Sequence, residues 1–333
     1  MTTRDPFETN WGTVNEAEPR PADLRWEQAR TLVRRSALFV PANVPRFVEK
    51  AHTRGADAII LDLEDSVPPA AKHEAREMVR DDMRQCARGG ADIIVRINHP
   101  STMAKADLEK CVWPGLDCIM FPKAESPREI EMLDRMLGDL EARRQMPIGS
   151  VQLWIIIESA LGLHNAQAIA LASERIVAIG LGAEDFTRDI GVEPTPNGRE
   201  LLFGKMQMIV VARIAGVQPV GTLASMADYR DTERLARVIQ DSRQMGFMGS
   251  SCIHPAQVEL LNTHFSPTAG EVNYARRVIA AFEQAEAENR GSVGVDGKMV
   301  DIPVVERAQH VIARAEAIDA KEARKRKALG EIG

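Results

Sequence analysis

The sequence predicts an α/β protein, a (β/α)8 barrel with a small C-terminal appendage, and three observations predict it. Eight short β-rich runs recur along the chain: SALFV (36–40), AIILDL (58–63), DIIVRI (92–97), CIMFP (118–122), LWIII (153–157), IVAIGL (176–181), VQPVG (217–221) and SSCIH (250–254). They are nearly continuous in apolar residues, as strands covered on both faces are. Longer helix-like stretches separate them, and this repeat fills the length such a barrel takes. Charged and polar residues gather at the C-terminal ends of the runs, the edge at which barrels bind ligands. A doubly wound open sheet is the alternative that strand counting leaves open.

The elements follow in order. Residues 1–30 read as a polar, proline-containing leader, 31–290 as the barrel and catalytic domain, and 291–333 as the appendage. Ser126-Pro127-Arg128-Glu129 supplies an N-cap serine, proline at the first helical position and glutamate at the third, a capping box opening a helix over 127–143. Thr268 and Glu271 form a second box, and Val272, Ala275, Ile279 and Phe282 share one face of the helix after it. The seventh run is the weakest strand, being short and carrying Pro219. Beyond 290, a Gly-rich loop or hairpin leads to a helix starting near Pro303, and the final KEARKRKALGEIG reads as a solvated, fraying helical end. So small an appendage lacks its own core and must dock on this barrel or a neighbour's.

Composition narrows the function. With 333 residues, 44% hydrophobic and a net charge of −6, the chain can bury a full core and shows no basic footprint for nucleic acid or a membrane surface. Cys86, Cys111, Cys118 and Cys252 form no C-x-x-C pair, so reduced buried thiols are expected rather than a zinc site. The N-terminal stretch lacks an apolar core, and no later run approaches the roughly 18 apolar residues of a membrane span. A cytoplasmic location is the expectation.

Glu158 follows one apolar run and Asp185 the next. Two hard oxygen donors at adjacent strand tips could hold one Mg²⁺ and leave positions for substrate and water. Either carboxylate alone reads equally well as a helix N-cap; together they favour a metal. Asp62, Glu64 and Asp65 cluster after the second run, where one is expected to cap the next helix and another to stand behind the metal ligands. Arg96 either neutralises these carboxylates or clamps an anionic substrate, and the substrate role is the stronger reading. Lys123 and Glu184 also lie at strand ends; His254 either lines a pocket or is a satisfied structural histidine. The other six histidines form no H-x-x-x-H pair and carry no site.

The segments RRSALFVPAN (34–43), GADAIILDLEDSVPPAAK (55–72), VRIN (95–98), FPKAES (121–126), IIESALGL (156–163), GLGAEDFTRDIG (180–191), CIHPAQV (252–258) and DGKMVDIPVVERA (296–308) carry a resemblance. In this order and spacing they resemble the citrate lyase beta subunit family of the HpcH/HpaI aldolase group, which includes malyl-CoA, methylmalyl-CoA and citramalyl-CoA lyases. The resemblance covers about residues 34–317 and implies a metal-dependent barrel lyase acting on a 3-hydroxyacyl thioester. Glu158 and Asp185 match the family's Mg²⁺ ligands, with Mn²⁺ a possible substitute, and Arg96 matches its active-site arginine. Asp301, in KMVDIP, matches an aspartate on the appendage that reaches an adjacent subunit's site, which implies a homo-oligomer, trimer or hexamer. Phe39, Arg46, Lys50, Glu64, Asp65, Lys123 and His254 are further candidates for holding the substrate or its thioester.

The implied chemistry is a retro-aldol or retro-Claisen cleavage. The metal polarises the substrate hydroxyl, the alkoxide collapses, Arg96 stabilises the expelled thioester enolate, and Asp301 is the acid or base at the enolate carbon. The departures from the family lie away from the metal. Val44 stands in Pro41-Ala42-Asn43-Val44-Pro45 where relatives have a CoA-phosphate arginine, for which Arg46 or Lys50 could compensate. Gly221 and Met226 stand near two family aspartates, and Gly249-Ser250 where relatives read Gly-Lys. A carrier-protein thioester or a non-thioester oxo or hydroxy acid is therefore an alternative to CoA. A thioester hydrolase and a non-catalytic ligand-binding paralogue are the remaining alternatives.

Overall fold

The computed structural model describes residues 20–99 and 101–330. Most of the expected leader, residues 1–19, lies outside the described residues. The chain runs α1 (Pro21–Thr31), β1 (Ser36–Pro41), α2 (Pro45–Ala51), β2 (Ala58–Asp62), α3 (Lys72–Ala87), β3 (Asp92–Arg96), α4 (Ser101–Cys111), β4 (Cys118–Phe121), α5 (Pro127–Arg143), β5 (Gln152–Ile157) and α6 (Ala160–Ala170). It continues through β6 (Ile176–Leu181), α7 (Ala183–Asp189), α8 (Leu202–Ala215), β7 (Gln218–Val220), α9 (Thr232–Met245), β8 (Ser250–Cys252), α10 (Ala256–His264), α11 (Ala269–Ala287), β9 (Val293–Val295), β10 (Lys298–Val300) and α12 (Ile302–Ala328). Each of the eight expected strands forms, and both capping boxes are made, by Ser126 with Glu129 and by Thr268 with Glu271.

The strands β1 to β8 are parallel and each pairs with its sequence neighbours, with β8 returning to β1. That order is a barrel's, and it rules out the doubly wound sheet, whose strand order reverses at its switch point. At the seam, Gly221 N donates to Gly249 O at 2.8 Å and Met248 N to Pro219 O at 3.1 Å. Pro219 is tolerated in β7 because only its carbonyl is needed there.

Two-residue periodicity sorts each strand into an outward and an inward set. Leu38, Ile59, Leu61, Ile93, Val95, Leu153 and Ile155 pack outward under the helices. Ala37, Ile60, Ile94, Met120, Trp154 and Val220 fill the interior. The inward parity then continues upward: Ile60 leads to Asp62, Ile94 to Arg96, and Ile156 to Glu158. Three charged residues are thus aimed over the interior, from the ends of β2, β3 and β5.

The opposite end of the barrel corrects two expectations. The last part of the presumed leader is α1, which lies across the bottom: Arg25 donates to Ile176 O at 2.7 Å, and Gln218 donates to Leu32 O at 2.6 Å. The charged chain end is solvated over residues 326–330 but anchored before them. Lys321 pairs with Asp92 at 2.7 Å and Lys325 with Asp57 at 2.9 Å, both lysines buried at the N-terminal ends of β3 and β2. Arg34 and Arg35 meet the same two aspartates at 2.9 and 2.7 Å. The appendage therefore docks on its own barrel through the C-terminal half of α12, while its other half builds a satellite core of Val295, Val300, Val305 and Ala308 on Ala275, Val278 and Phe282 of α11.

Candidate active site

A cavity of about 310 Å³ opens at the C-terminal ends of the strands, lined by Phe39, Asp65, Arg96, Trp154, Glu158, Asp185 and Lys205 among others. Glu158 is 7% exposed. It does not cap α6, because the next residue does: Ser159 Oγ accepts from Gly162 N at 3.1 Å. Freed from that task, Glu158 Oε2 is buried with no hydrogen-bond partner. Gly182, at the tip of β6, makes room for it, since a Cβ there would fall 2.7 Å from Glu158 Cγ. Burial first, then the negative charges of Glu64 and Asp185, push the Glu158 carboxyl up to about 8, against the opposing pull of Lys123 and Arg96. Asp185 enters from the first turn of α7 and meets Arg188, an exposed side chain, at 2.7 Å.

Arg96 is held rigidly. Its Nε and Nη2 each donate to Asp62 at 2.7 Å, a fork-to-fork pair, and Nη1 lies 3.0 Å from Glu64 Oε2. The guanidinium also sits over the Phe39 ring, 4.6 Å from its centroid. Burial works against both charges, yet the pair outweighs it, raising Arg96 and holding Asp62 below the usual carboxylate range. Arg96 thus neutralises the acidic cluster while one side of it still borders the cavity.

The cluster after β2 is built differently from the expectation. No carboxylate caps α3, whose N-cap is Ala71 without a side-chain bond. Asp62 instead accepts from Glu64 N at 2.9 Å and Ser66 N at 3.0 Å, shaping the turn that aims Glu64 and Asp65 inward. Lys123, in left-handed backbone conformation at φ 53°, pairs with Glu64 and, at 3.3 Å, with Asp65.

Arg46, Lys50 and His254 line a second hollow of about 560 Å³ with Arg54, and it shares Phe39 and Ile253 with the main cavity. His254 stacks on Tyr229 with ring centroids 4.2 Å apart. Asp301 is not brought to the cavity of its own chain; it precedes α12, flanked by the exposed Met299 and Ile302. Sequence reasoning missed Lys205, a buried lysine of α8 that reaches the cavity, because it sits inside an apolar helix rather than at a strand end.

The residues fit a divalent metal. Among the described residues no cluster of three or more protein ligands exists. Two carboxylates, one with an orphaned buried oxygen, form the donor set expected where substrate and water supply the rest of the coordination.

The HpcH/HpaI aldolase/citrate lyase family model matches residues 35–255. The chain belongs to this family. It is 39% identical over 286 residues to the citrate lyase subunit beta of Leuconostoc mesenteroides subsp. cremoris, covering 86% of this chain and 94% of that one. It is 35% identical to a (3S)-malyl-CoA thioesterase of Cereibacter sphaeroides, covering 86% of this chain and 96% of that one. The crystal structure of CitE from Mycobacterium tuberculosis in complex with magnesium, acetoacetate and coenzyme A superposes with a TM-score of 0.67 at 28% identity, over 84% of this chain and 97% of that one. The chain is thus of an enzyme family of the aldolase and citrate lyase type, in which solved relatives hold magnesium.

Proposed function

We propose that this protein is a Mg²⁺-dependent carbon–carbon lyase that cleaves a 3-hydroxy-dicarboxylic acyl thioester into an oxoacid and a shorter acyl thioester. The observation that carries the reading is the unpartnered, buried Oε2 of Glu158 beside Asp185, with Arg96 fixed in the same cavity. Glu158 and Asp185 would hold the ion, and a divalent ion there supplies Lewis-acid polarisation of substrate oxygens.

The chain's own residues do the rest. Asp62 locks the guanidinium of Arg96 before substrate arrives, so its charge is preorganised toward an enolate oxygen that develops as the carbon–carbon bond breaks. Trp154 and Phe39 form apolar walls, which strengthen that interaction by excluding water. Asp301 of a second copy is the acid that protonates the enolate carbon, or the base in the condensing direction; the exposed Met299 and Ile302 beside it support docking onto another subunit. The hollow with Arg46, Lys50 and Arg54 suits the phosphates of the thioester handle, replacing the cation absent at Val44.

A thioester hydrolase is the second reading, favoured by the (3S)-malyl-CoA thioesterase relative. Incubating malyl-, methylmalyl-, citramalyl- and citryl-CoA with enzyme and Mg²⁺ separates them. The lyase releases oxoacid without free thiol; a hydrolase releases free CoA thiol without oxoacid. Turnover of none of the four, with CoA or with a carrier-protein thioester, overturns both readings.

A further inference from the structure

Of the cations lining the cavity among the described residues, Arg96 is paired with carboxylates and Lys205 is left without a counter-ion. It is 3% exposed, projects from α8 between β6 and β7, and its Nζ donates to a single acceptor, Leu181 O, at 3.3 Å. An ammonium has three protons to place, and burying one without an anion is costly. Burial alone accordingly lowers this lysine to about 8.

The neighbouring backbone keeps space in front of the amine. Gly221, at φ 140°, carries no side chain there, and a Cβ on it would stand 3.5 Å from Lys205 Nζ. The hydroxyls nearby are committed elsewhere: Thr222 Oγ1 donates to Ala224 O at 2.8 Å and Ser225 Oγ to Glu184 at 2.9 Å. No carboxylate of the chain pairs with Lys205 among the described residues. The free donors therefore border the same cavity as Glu158, Asp185 and Arg96.

We infer that Lys205 is a specificity-determining residue, whose ammonium receives a second carboxylate of the substrate, one not engaged at the Glu158–Asp185 site. The inference rests on the lyase reading and sharpens it. Of the candidate acyl groups, the citryl type carries a carboxymethyl arm on the hydroxyl-bearing carbon, where malyl carries hydrogen and citramalyl a methyl group. The cleavage product that keeps this arm is oxaloacetate; those lacking it are glyoxylate and pyruvate.

Calorimetric titration of the Mg²⁺-loaded enzyme with oxaloacetate and with pyruvate tests it, because a charge-assisted contact discriminates the two by at least about tenfold. The wild type is expected to bind oxaloacetate at least about tenfold more tightly, and Lys205→Met to lose that preference while keeping its affinity for pyruvate. Retained pyruvate binding also reports that the variant is folded. Should Lys205→Met not fold, the wild-type ratio alone decides, and equal affinity for the two oxoacids overturns the inference while leaving the lyase reading standing. Failure of both oxoacids to bind in the presence of Mg²⁺ overturns the lyase reading and the role of Lys205 with it. A borohydride-trapped adduct on Lys205 with either oxoacid also overturns it, since a Schiff-base nucleophile is not a carboxylate anchor.

Discussion

Arg96 shows how one side chain is made into a fixed charge. Three contacts, two to Asp62 and one to Glu64, hold the guanidinium, and a lysine could reproduce its charge but not the planar fork. Arg96→Lys is therefore expected to lower kcat by about 100-fold with little change in KM, as loss of a preorganised electrostatic contact does; a KM effect alone would place Arg96 in ground-state binding instead. At this scale the sequence was informative wherever a charged residue ended an apolar run, as with Glu158, Asp185 and Arg96. It was silent on Lys205, whose neighbours Gly204 and Met208 are apolar and whose exposure to the cavity depends on the gap left by Gly221 in another element. It misassigned the acidic cluster after β2, because a carboxylate near a helix start looks alike whether it caps the helix or folds the turn before it.

Among the elements, α12 carries the plainest lesson. Arg314, Ile318, Lys321 and Lys325 are spaced by three and four residues and form one buried stripe of the helix. A search for apolar periodicity cannot see a stripe in which three of four members are cations. The partners of Lys325 and Lys321, Asp57 and Asp92, stand at strand starts more than two hundred residues earlier in the chain, and Arg314 donates to the carbonyls of Arg30, Leu32 and Met248. Asp57 is fully buried and holds both Arg35 and Lys325. Asp57→Asn should thus lower stability by about 3–5 kcal/mol in denaturant unfolding, since it leaves two buried cations only the partly exposed Glu322 as a counter-ion. A loss below about 1 kcal/mol would show that the tail is held by apolar packing alone. Strands, by contrast, were legible because β1 to β6 are mostly apolar runs bounded by polar residues, while the short β7 and β8, Gln-Pro-Val and Ser-Ser-Cys, were legible chiefly from their place in the repeat.

For the molecule as a whole, stability and pH are linked through Asp82 on α3. It is 8% exposed, its Oδ2 has no partner, and burial together with Asp81 pushes its carboxyl up to about 7. An unfolded aspartate titrates near 3.9, so the folded state binds the extra proton between these values. The contribution is full below the unfolded pKa and is lost as pH rises through about 7. Asp82→Asn should leave stability near pH 4 unchanged and raise it at pH 8 by about 1–2 kcal/mol; an unchanged difference between wild type and variant across that range would place the Asp82 pKa at its ordinary value. The barrel, its closure and the order of its strands were legible because they follow from local pattern and connection rules. The expectation of a homo-oligomer comes from the resemblance and not from local pattern, and Asp301 lies away from the cavity of its own chain.

In the proposed lyase, Glu158 and Asp185 hold a divalent metal which the cleavage requires. The most direct measurement is the rate of oxoacid release from the preferred acyl-CoA by metal-stripped enzyme, before and after Mg²⁺ is restored, in wild type and Glu158→Gln. No release is expected without metal, with full recovery on adding Mg²⁺ to the wild type and a loss of at least about 1,000-fold in the variant at any Mg²⁺ concentration. Undiminished release by the stripped enzyme, or by Glu158→Gln, would contradict this.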